Sequence, residues 1–241
     1  NGFTGVEGAN VAALAEASID NHIAGFRPLS GVPVPALPLA ILKADLSGDG
    51  IESWQAMIEE RQGADLFHYD EATHVITQEP DGIPEITLHS AGFESDPARA
   101  NTHLFVIDDQ ATQKAVEGHI KSGWYERDLP PARQLLRFDR QPHELLTLDG
   151  IRGQFPRHLE QIVGECRLLF LFDEYEPLSD SAAGRIRCVQ PVAGRILKVT
   201  THEDGSADIV VQPGVMTTRT AVLARETVTQ GPPERLANRY V

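Results

Sequence analysis

The feature that most constrains the fold is a succession of short apolar runs that begins at residue 66. Each run is five to nine residues long and is bounded by turn-forming residues such as Gly, Pro, Asp and Ser. Runs of this length are typical of β-strands joined by tight turns, whereas helices need longer periodic segments. The strand candidates are 66–70, 74–78, 84–89, 103–107, 167–172, 185–189, 195–201, 207–212 and 216–224.

Helical segments are few in this chain. Residues 51–62 and 110–122 show helical periodicity, and Gly123 is a suitable stop for the second segment. The segments 134–138 and 144–148 fit either a strand or a short helix. The sequence therefore predicts a β-rich α+β fold with mainly antiparallel sheet, a sandwich or barrel-like core and a few peripheral helices. An α/β fold is the alternative, because two of the apolar runs end in acidic residues.

The first 44 residues differ from the rest. Asn10 can cap a helix over 11–24, and four prolines follow at positions 28, 33, 35 and 38. Proline fixes φ and removes a donor, so this stretch is expected to be extended and stiff. We predict an N-terminal helix and proline-rich arm over 1–44, outside a β-rich domain over 45–241. Apolar residues lie between the prolines, so the arm is expected to pack on its own core or on a neighbouring subunit.

The negative charge of the chain is unevenly distributed. The formal net charge is −14, and residues 1–120 carry 19 acids against 5 Lys and Arg, a difference that already equals −14. An acidic surface repels phosphate, so nucleic acid is an unfavourable partner, while cations and basic proteins are favoured. No run of about 18 apolar residues occurs, so no membrane span is predicted.

The first candidate site is the loop Asp45-Leu46-Ser47-Gly48-Asp49-Gly50. Its alternating oxygen ligands at Asp45, Ser47 and Asp49, followed by a glycine, resemble the opening half of an EF-hand or of an Asp-rich calcium repeat. The twelfth position, where the EF-hand has a bidentate Glu, is Ala56. Calcium is therefore one hypothesis for this loop, and a turn that caps the following helix is the other.

The second candidate site is formed by acids after two apolar strands. Asp108 and Asp109 follow 103–107, and Asp173 and Glu174 follow 167–172. Acids that meet at one edge of a sheet can hold Mg²⁺ or Mn²⁺ for a hydrolase or nuclease. They can equally mark the points at which buried strands reach water.

The third candidate site is a hairpin predicted from strands 74–78 and 84–89, with a turn at 79–82. In that register His74, Glu85 and His89 share a face and could bind a metal. A solvated hairpin face would have the same sequence pattern.

No complete catalytic motif is present. HExxH, GxSxG, GxGxxG, CxxC and a P-loop are all absent, and Cys166 and Cys188 lie beside apolar runs typical of buried free thiols. Three hypotheses follow. The first is a non-catalytic structural or interaction protein that assembles with itself or a protein partner, for example in a virion or secretion apparatus. The others are a metal-dependent hydrolase or nuclease that uses the acidic strand ends, and a calcium-stabilised binding module.

Overall fold

The computed structural model describes residues 23–90, 100–108, 112–129, 136–138, 142–148, 150–178 and 183–223. The helix predicted over 11–24 lies outside this part of the chain except for its last two residues. These belong to a strand, Ile23–Phe26, so the helix does not extend to residue 24.

Strands make up most of the regular structure. In chain order they are β1 Ile23–Phe26, β2 Ala36–Leu42, β3 His68–Asp70, β4 Val75–Thr77, β5 Ile86–His89, β6 Thr102–Val106, β7 Leu136–Arg137, β8 His143–Thr147, β9 Cys166–Pro177, β10 Gly184–Thr201, β11 Ala207–Pro213 and β12 Ala221–Leu223. The helices are α1 Gln113–Ser122 and α2 Phe155–Glu160, with a π-helical turn at Gln55–Glu59 and a 3-10 turn at Glu126–Asp128.

A seven-stranded sheet organises the fold, in the order β5-β11-β10-β8-β6-β2-β9. All neighbours in it are antiparallel except β2 and β9. β10 also pairs with β9, so the strands β10, β8, β6, β2 and β9 form a closed ring of pairings. The predicted β-rich α+β fold with mainly antiparallel sheet is thereby confirmed.

Side-chain alternation along the strands produces two apolar clusters. On β2, Leu37 and Leu39 belong to one cluster and Ala36 and Ala40 to the other, as the two-residue period of a strand requires. Side chains of α1 and α2 cover the first cluster. A three-stranded sheet in the order β12-β1-β7 contributes to the second, together with the fully buried Trp124.

The end of the proline-rich arm is part of the core. Val34 exchanges two backbone hydrogen bonds with Trp124, at 2.9 and 3.0 Å, and β2 lies between β6 and β9. Val34, Leu37 and Leu39 are buried in the core as expected of the arm, whereas Leu29 and Val32 are exposed. The predicted position of the arm outside the core is wrong for residues 34–42. Pro38 is tolerated within β2 because the ladder to β9 is interrupted between Ala36 and Ala40.

Several predicted elements have different limits in the structure. The two strands predicted at 185–189 and 195–201 are one strand, β10, with bulges. The helix predicted over 51–62 is reduced to the π-helical turn, whereas α1 ends at Gly123 as predicted, with φ 75°. The predicted strands 195–201 and 207–212 pair as the end of β10 with β11, and Val199 lies opposite Ile209.

Candidate functional site

The Asp45 carboxylate organises the predicted calcium loop. Its Oδ1 accepts hydrogen bonds from Ser47 N, Ser47 Oγ and Gly48 N, at 3.1, 2.6 and 3.2 Å. Its Oδ2 accepts from Gly50 N and Ile51 N, at 2.8 and 3.1 Å. The hydrogen bond from the Ser47 hydroxyl, together with the backbone bonds, lowers the pKa of Asp45.

These contacts account for the loop sequence without an ion. Gly48 and Gly50 both have φ near 75°, a conformation that favours glycine. Asp45 uses both oxygens on the backbone of its own loop, and no group of three metal-ligating side chains in position to hold an ion occurs in the described residues. The geometry favours the capped turn over the calcium hypothesis, and calcium binding stays a prediction.

A groove runs between this loop and the π-helical turn. It has a volume of about 420 Å³ and is lined by residues 44–46, 50–51, 53, 55–57, 60 and 62. Leu46 stands on its rim with 85% of its surface exposed, while Ile51 and Met57 are half-buried. We refer to this surface depression as the 44–62 groove.

The backbone around the groove is irregular. The π-helical turn is a rare form of helix that is frequent at functional sites. Arg61, just after this turn, has a φ of 58°, an uncommon value for a residue other than glycine, and donates to the Gly82 carbonyl at 2.6 Å. These two features distinguish the groove from the regular sheet beside it.

The charge of the groove is negative. Asp45 and Glu60 are the acidic residues that line the groove, and the surrounding segment 43–62 contains five acids together with Lys43 and Arg61. The Glu60 carboxylate accepts hydrogen bonds from the Gln55 and Gln62 amides, at 3.1 and 3.0 Å, and these amides leave its charge in place. Within the described part of the chain, no Lys or Arg forms an ion pair with Asp45, Asp49 or Glu60.

The acidic strand ends do not form one site. No group of three or more His, Cys, Asp and Glu side chains among the described residues is placed to hold a metal ion, so Asp108 does not join Asp173 and Glu174 in a metal site. Asp173 and Glu174 lie inside β9, where both bind the Arg187 guanidinium. Asp109 lies outside the described residues.

The predicted histidine hairpin is also wrong. β4 pairs with β3, and β5 pairs with β11, so His74, Glu85 and His89 are separated. The turn at 79–82 folds against Asp65, whose carboxylate accepts from Asp81 N and Gly82 N at 2.8 and 2.9 Å. Bound in this way by Asp65, residues 79–82 do not form the turn of the predicted hairpin.

Each of the three residues has a different partner. The Tyr69 hydroxyl is 2.6 Å from Nδ1 of His74, and His89 Nδ1 is 2.8 Å from an oxygen of Asp208. The Glu85 side chain is buried and accepts from Leu66 N and Phe67 N. All three side chains therefore make structural contacts.

The cysteines offer no nucleophile. Both thiols are free, Cys188 is fully buried as predicted and Cys166 is half-buried. Burial raises the pKa of both thiols, which keeps them protonated at neutral pH.

The groove was not predicted as a site. Its apolar residues, Leu46, Ile51 and Met57, lie in a segment whose sequence indicates a loop and an amphipathic helix. Its two acidic lining residues, Asp45 and Glu60, are 15 positions apart, and no local sequence pattern marks the groove.

Comparisons with protein family models, with curated proteins and with solved structures find no match to this chain. None of the helices in the described residues is long and apolar enough to cross a membrane.

Proposed function

We propose that this chain is a non-catalytic interaction protein that binds a protein partner, or a second copy of itself, at the 44–62 groove. The observation that carries the proposal is the groove itself, where Leu46 is 85% exposed beside half-buried Ile51 and Met57. In a complex, these three side chains would form the apolar centre of the interface and the polar residues around the groove its rim.

Catalytic alternatives have less support from the geometry. Asp173 and Glu174, two of the acids proposed for a hydrolase or nuclease, pair with the Arg187 guanidinium, and the described residues contain no group of three side chains placed to hold a metal ion. The polar side chains around the groove are engaged in hydrogen bonds within the loop and the π-helical turn. These contacts fit a rigid docking surface better than a reacting centre.

Two variants at exposed apolar positions test the proposal. Leu46→Asp places a charge on the rim of the groove. Val215→Asp places a charge at a residue that is 74% exposed and does not line the groove. Light scattering of the wild-type chain distinguishes a monomer of 26.4 kDa from an assembly. A pull-down from source lysate, with each captured protein identified and its binding then measured with purified components, tests for a separate partner.

Only the groove variant is expected to lose assembly or partner binding. Leu46→Asp should dissociate the assembly, or abolish binding of the identified partner, while Val215→Asp leaves either unchanged. The proposal is contradicted if the wild-type chain is a monomer and every identified protein binds the two variants equally well.

A further inference from the structure

We propose that the Glu85 carboxyl makes segment 64–67 a pH-sensitive switch, which is closed when Glu85 is protonated and opens when Glu85 is ionised. Segment 64–67 lies between the π-helical turn and β3, and Glu85 directly precedes β5. The switch is independent of the function proposed for the 44–62 groove. It depends on a buried carboxyl oxygen that has no hydrogen-bond partner and on two further acids that act on it.

Glu85 holds the segment by three hydrogen bonds. Its backbone N donates to the Ala64 carbonyl at 2.7 Å, and its Oε1 accepts from Leu66 N and Phe67 N at 3.2 and 2.7 Å. Phe67 is buried against the same region, with 7% of its surface exposed. Because the segment continues directly into β3, these contacts join the two-stranded ribbon of β3 and β4 to the edge of the seven-stranded sheet.

The second oxygen of the carboxyl responds to protonation. Glu85 is only 3% exposed, and its Oε2 is buried without a hydrogen-bond partner among the described residues. A buried polar group without a partner costs free energy, and the cost is much larger when the group carries a charge. Opening of segment 64–67 would bring water to the carboxylate and remove this cost. Ionisation of Glu85 therefore favours the open segment.

Two neighbouring acids increase the cost of ionisation. The Asp65 carboxylate binds the backbone of Asp81 and Gly82, so both acids lie where the 79–82 turn meets the segment. Burial is the largest cause that raises the pKa of Glu85, and the charges of Asp65 and Asp81 also raise it, against the opposing effect of the two backbone hydrogen bonds. The closed segment is therefore most stable below pH 4.5, and it loses stability as the pH rises through the raised pKa.

The basic groups around Glu85 have other partners. None of them forms an ion pair with Glu85 in the described part of the chain. The carboxylate therefore gains most from water, which reaches it when the segment opens. The partners are Asp81 for His68 of β3, the Gly82 carbonyl for Arg61 and the Phe67 ring, at 5.9 Å, for Lys198 of β10, while β11 contributes the neutral Gln212 amide to Asp81.

Amide hydrogen exchange on the full chain, followed by NMR between pH 4.5 and pH 7.5, tests the switch. After correction for the base catalysis of exchange itself, protection of the Leu66 and Phe67 amides should fall by at least about threefold as the pH rises. Protection of the Ile209 amide, in β11, should not fall with it. The side-chain carboxyl carbon of Glu85 should titrate with the same midpoint as the loss of protection.

Two matched variants assign the effect to Glu85. Glu85→Gln preserves an oxygen that accepts from Leu66 N and Phe67 N but has no proton to lose, so protection of the segment should become independent of pH. Glu52→Gln is the control, because Glu52 is a half-buried carboxylate that accepts from Thr87 N at 3.3 Å on β5. Its protein should keep the pH dependence of the wild type.

The wild-type titration alone can overturn the switch, even if a variant fails to fold. A Glu85 carboxyl that titrates at or below pH 4.5 would refute it, because the folded state would then not hold the proton. Constant protection of Leu66 and Phe67 across the Glu85 titration would show that ionisation does not open the segment. Equal pH dependence in Glu85→Gln and in wild type would assign the opening to another group.

Discussion

The guanidinium of Arg195 lies 3.6 Å from the centre of the Tyr69 ring. Arg195 belongs to β10 and is only 7% exposed, whereas Tyr69 belongs to the two-stranded ribbon of β3 and β4. Arg195 also donates to the Gly164 carbonyl at 2.6 Å and forms an ion pair with Glu71 in the ribbon turn. This one side chain therefore attaches the ribbon to the main sheet.

Arg195→Met should loosen the ribbon. It removes the stacking on Tyr69 and leaves the Gly164 carbonyl without its donor, which should lower the free energy of unfolding by roughly 2–3 kcal/mol. Hydrogen exchange of the amides in 68–77 should accelerate more than that of the sheet. Lys198→Met is the control, because its Nζ is 5.9 Å from the Phe67 ring and its side chain is exposed. Equal effects of the two substitutions would contradict this role of Arg195.

Asn101→Leu should expose the edge of the seven-stranded sheet. The substitution removes both hydrogen bonds of the Asn101 amide to β5, and Asn101 is only 1% exposed. We expect a loss of roughly 2–4 kcal/mol in denaturant unfolding and more aggregation in light scattering, since an unpaired edge strand recruits other chains. Ser90→Ala, which removes one weaker bond to Ala207 O, should cost less than about 1 kcal/mol. An Asn101→Leu protein that stays as stable and as monodisperse as wild type would refute edge protection.

His103 should make the fold sensitive to acid. It is 4% exposed and stacks on Tyr175 with ring centroids 4.5 Å apart, and burial lowers the pKa of His103 from 6.5 to about 4. The folded state binds this proton more weakly than the unfolded state. Stability should therefore fall as the pH decreases from about 6.5 to about 4, by on the order of 3 kcal/mol from this residue.

The comparison of His103→Phe with wild type checks this pH dependence. Phenylalanine preserves an aromatic stack on Tyr175 and has no proton to gain, so the loss of stability between pH 7 and pH 4 should become smaller. His68→Gln, at a half-buried imidazole whose Nδ1 is 3.6 Å from an oxygen of Asp81, controls for the removal of a histidine. An unchanged pH profile in His103→Phe would show that the acid sensitivity originates elsewhere.

The Glu85 carboxyl should destabilise the fold when it is ionised. Burial raises the pKa of Glu85 above 4.5, and its Oε2 has no hydrogen-bond partner among the described residues. The folded state binds the Glu85 proton more firmly than the unfolded state does. The stability that this proton contributes is therefore lost as the pH rises through the raised pKa of Glu85. Glu85→Gln should be at least as stable as wild type at pH 7. Glu85→Leu should be less stable, because Leu66 N and Phe67 N lose their acceptor.

The Asp45 loop should respond to mutation independently of calcium. Asp45→Ala removes the acceptor of four backbone amides and should lower the melting temperature by a few degrees. If the carboxylate serves only as a cap, the decrease is the same in calcium and in chelator. A decrease confined to calcium-containing buffer would restore the calcium hypothesis, because ligand stabilisation depends on occupancy.

The sequence by itself determined local structure wherever the residues that produce it lie within one short segment. The end of α1 at Gly123 and the turn around Asp45 depend on the φ of a glycine and on a neighbouring carboxylate. It also determined the β-rich class, because strand-length apolar runs bury their surface only by pairing.

Only the tertiary structure decided which strands pair and which polar groups meet. β5 pairs with β11 and not with β4, and β2 lies between β6 and β9. These relationships depend on contacts between residues distant in sequence, whose register a local pattern does not encode. The groove is of the same kind, since it exists only where the Asp45 loop and the π-helical turn fold against each other.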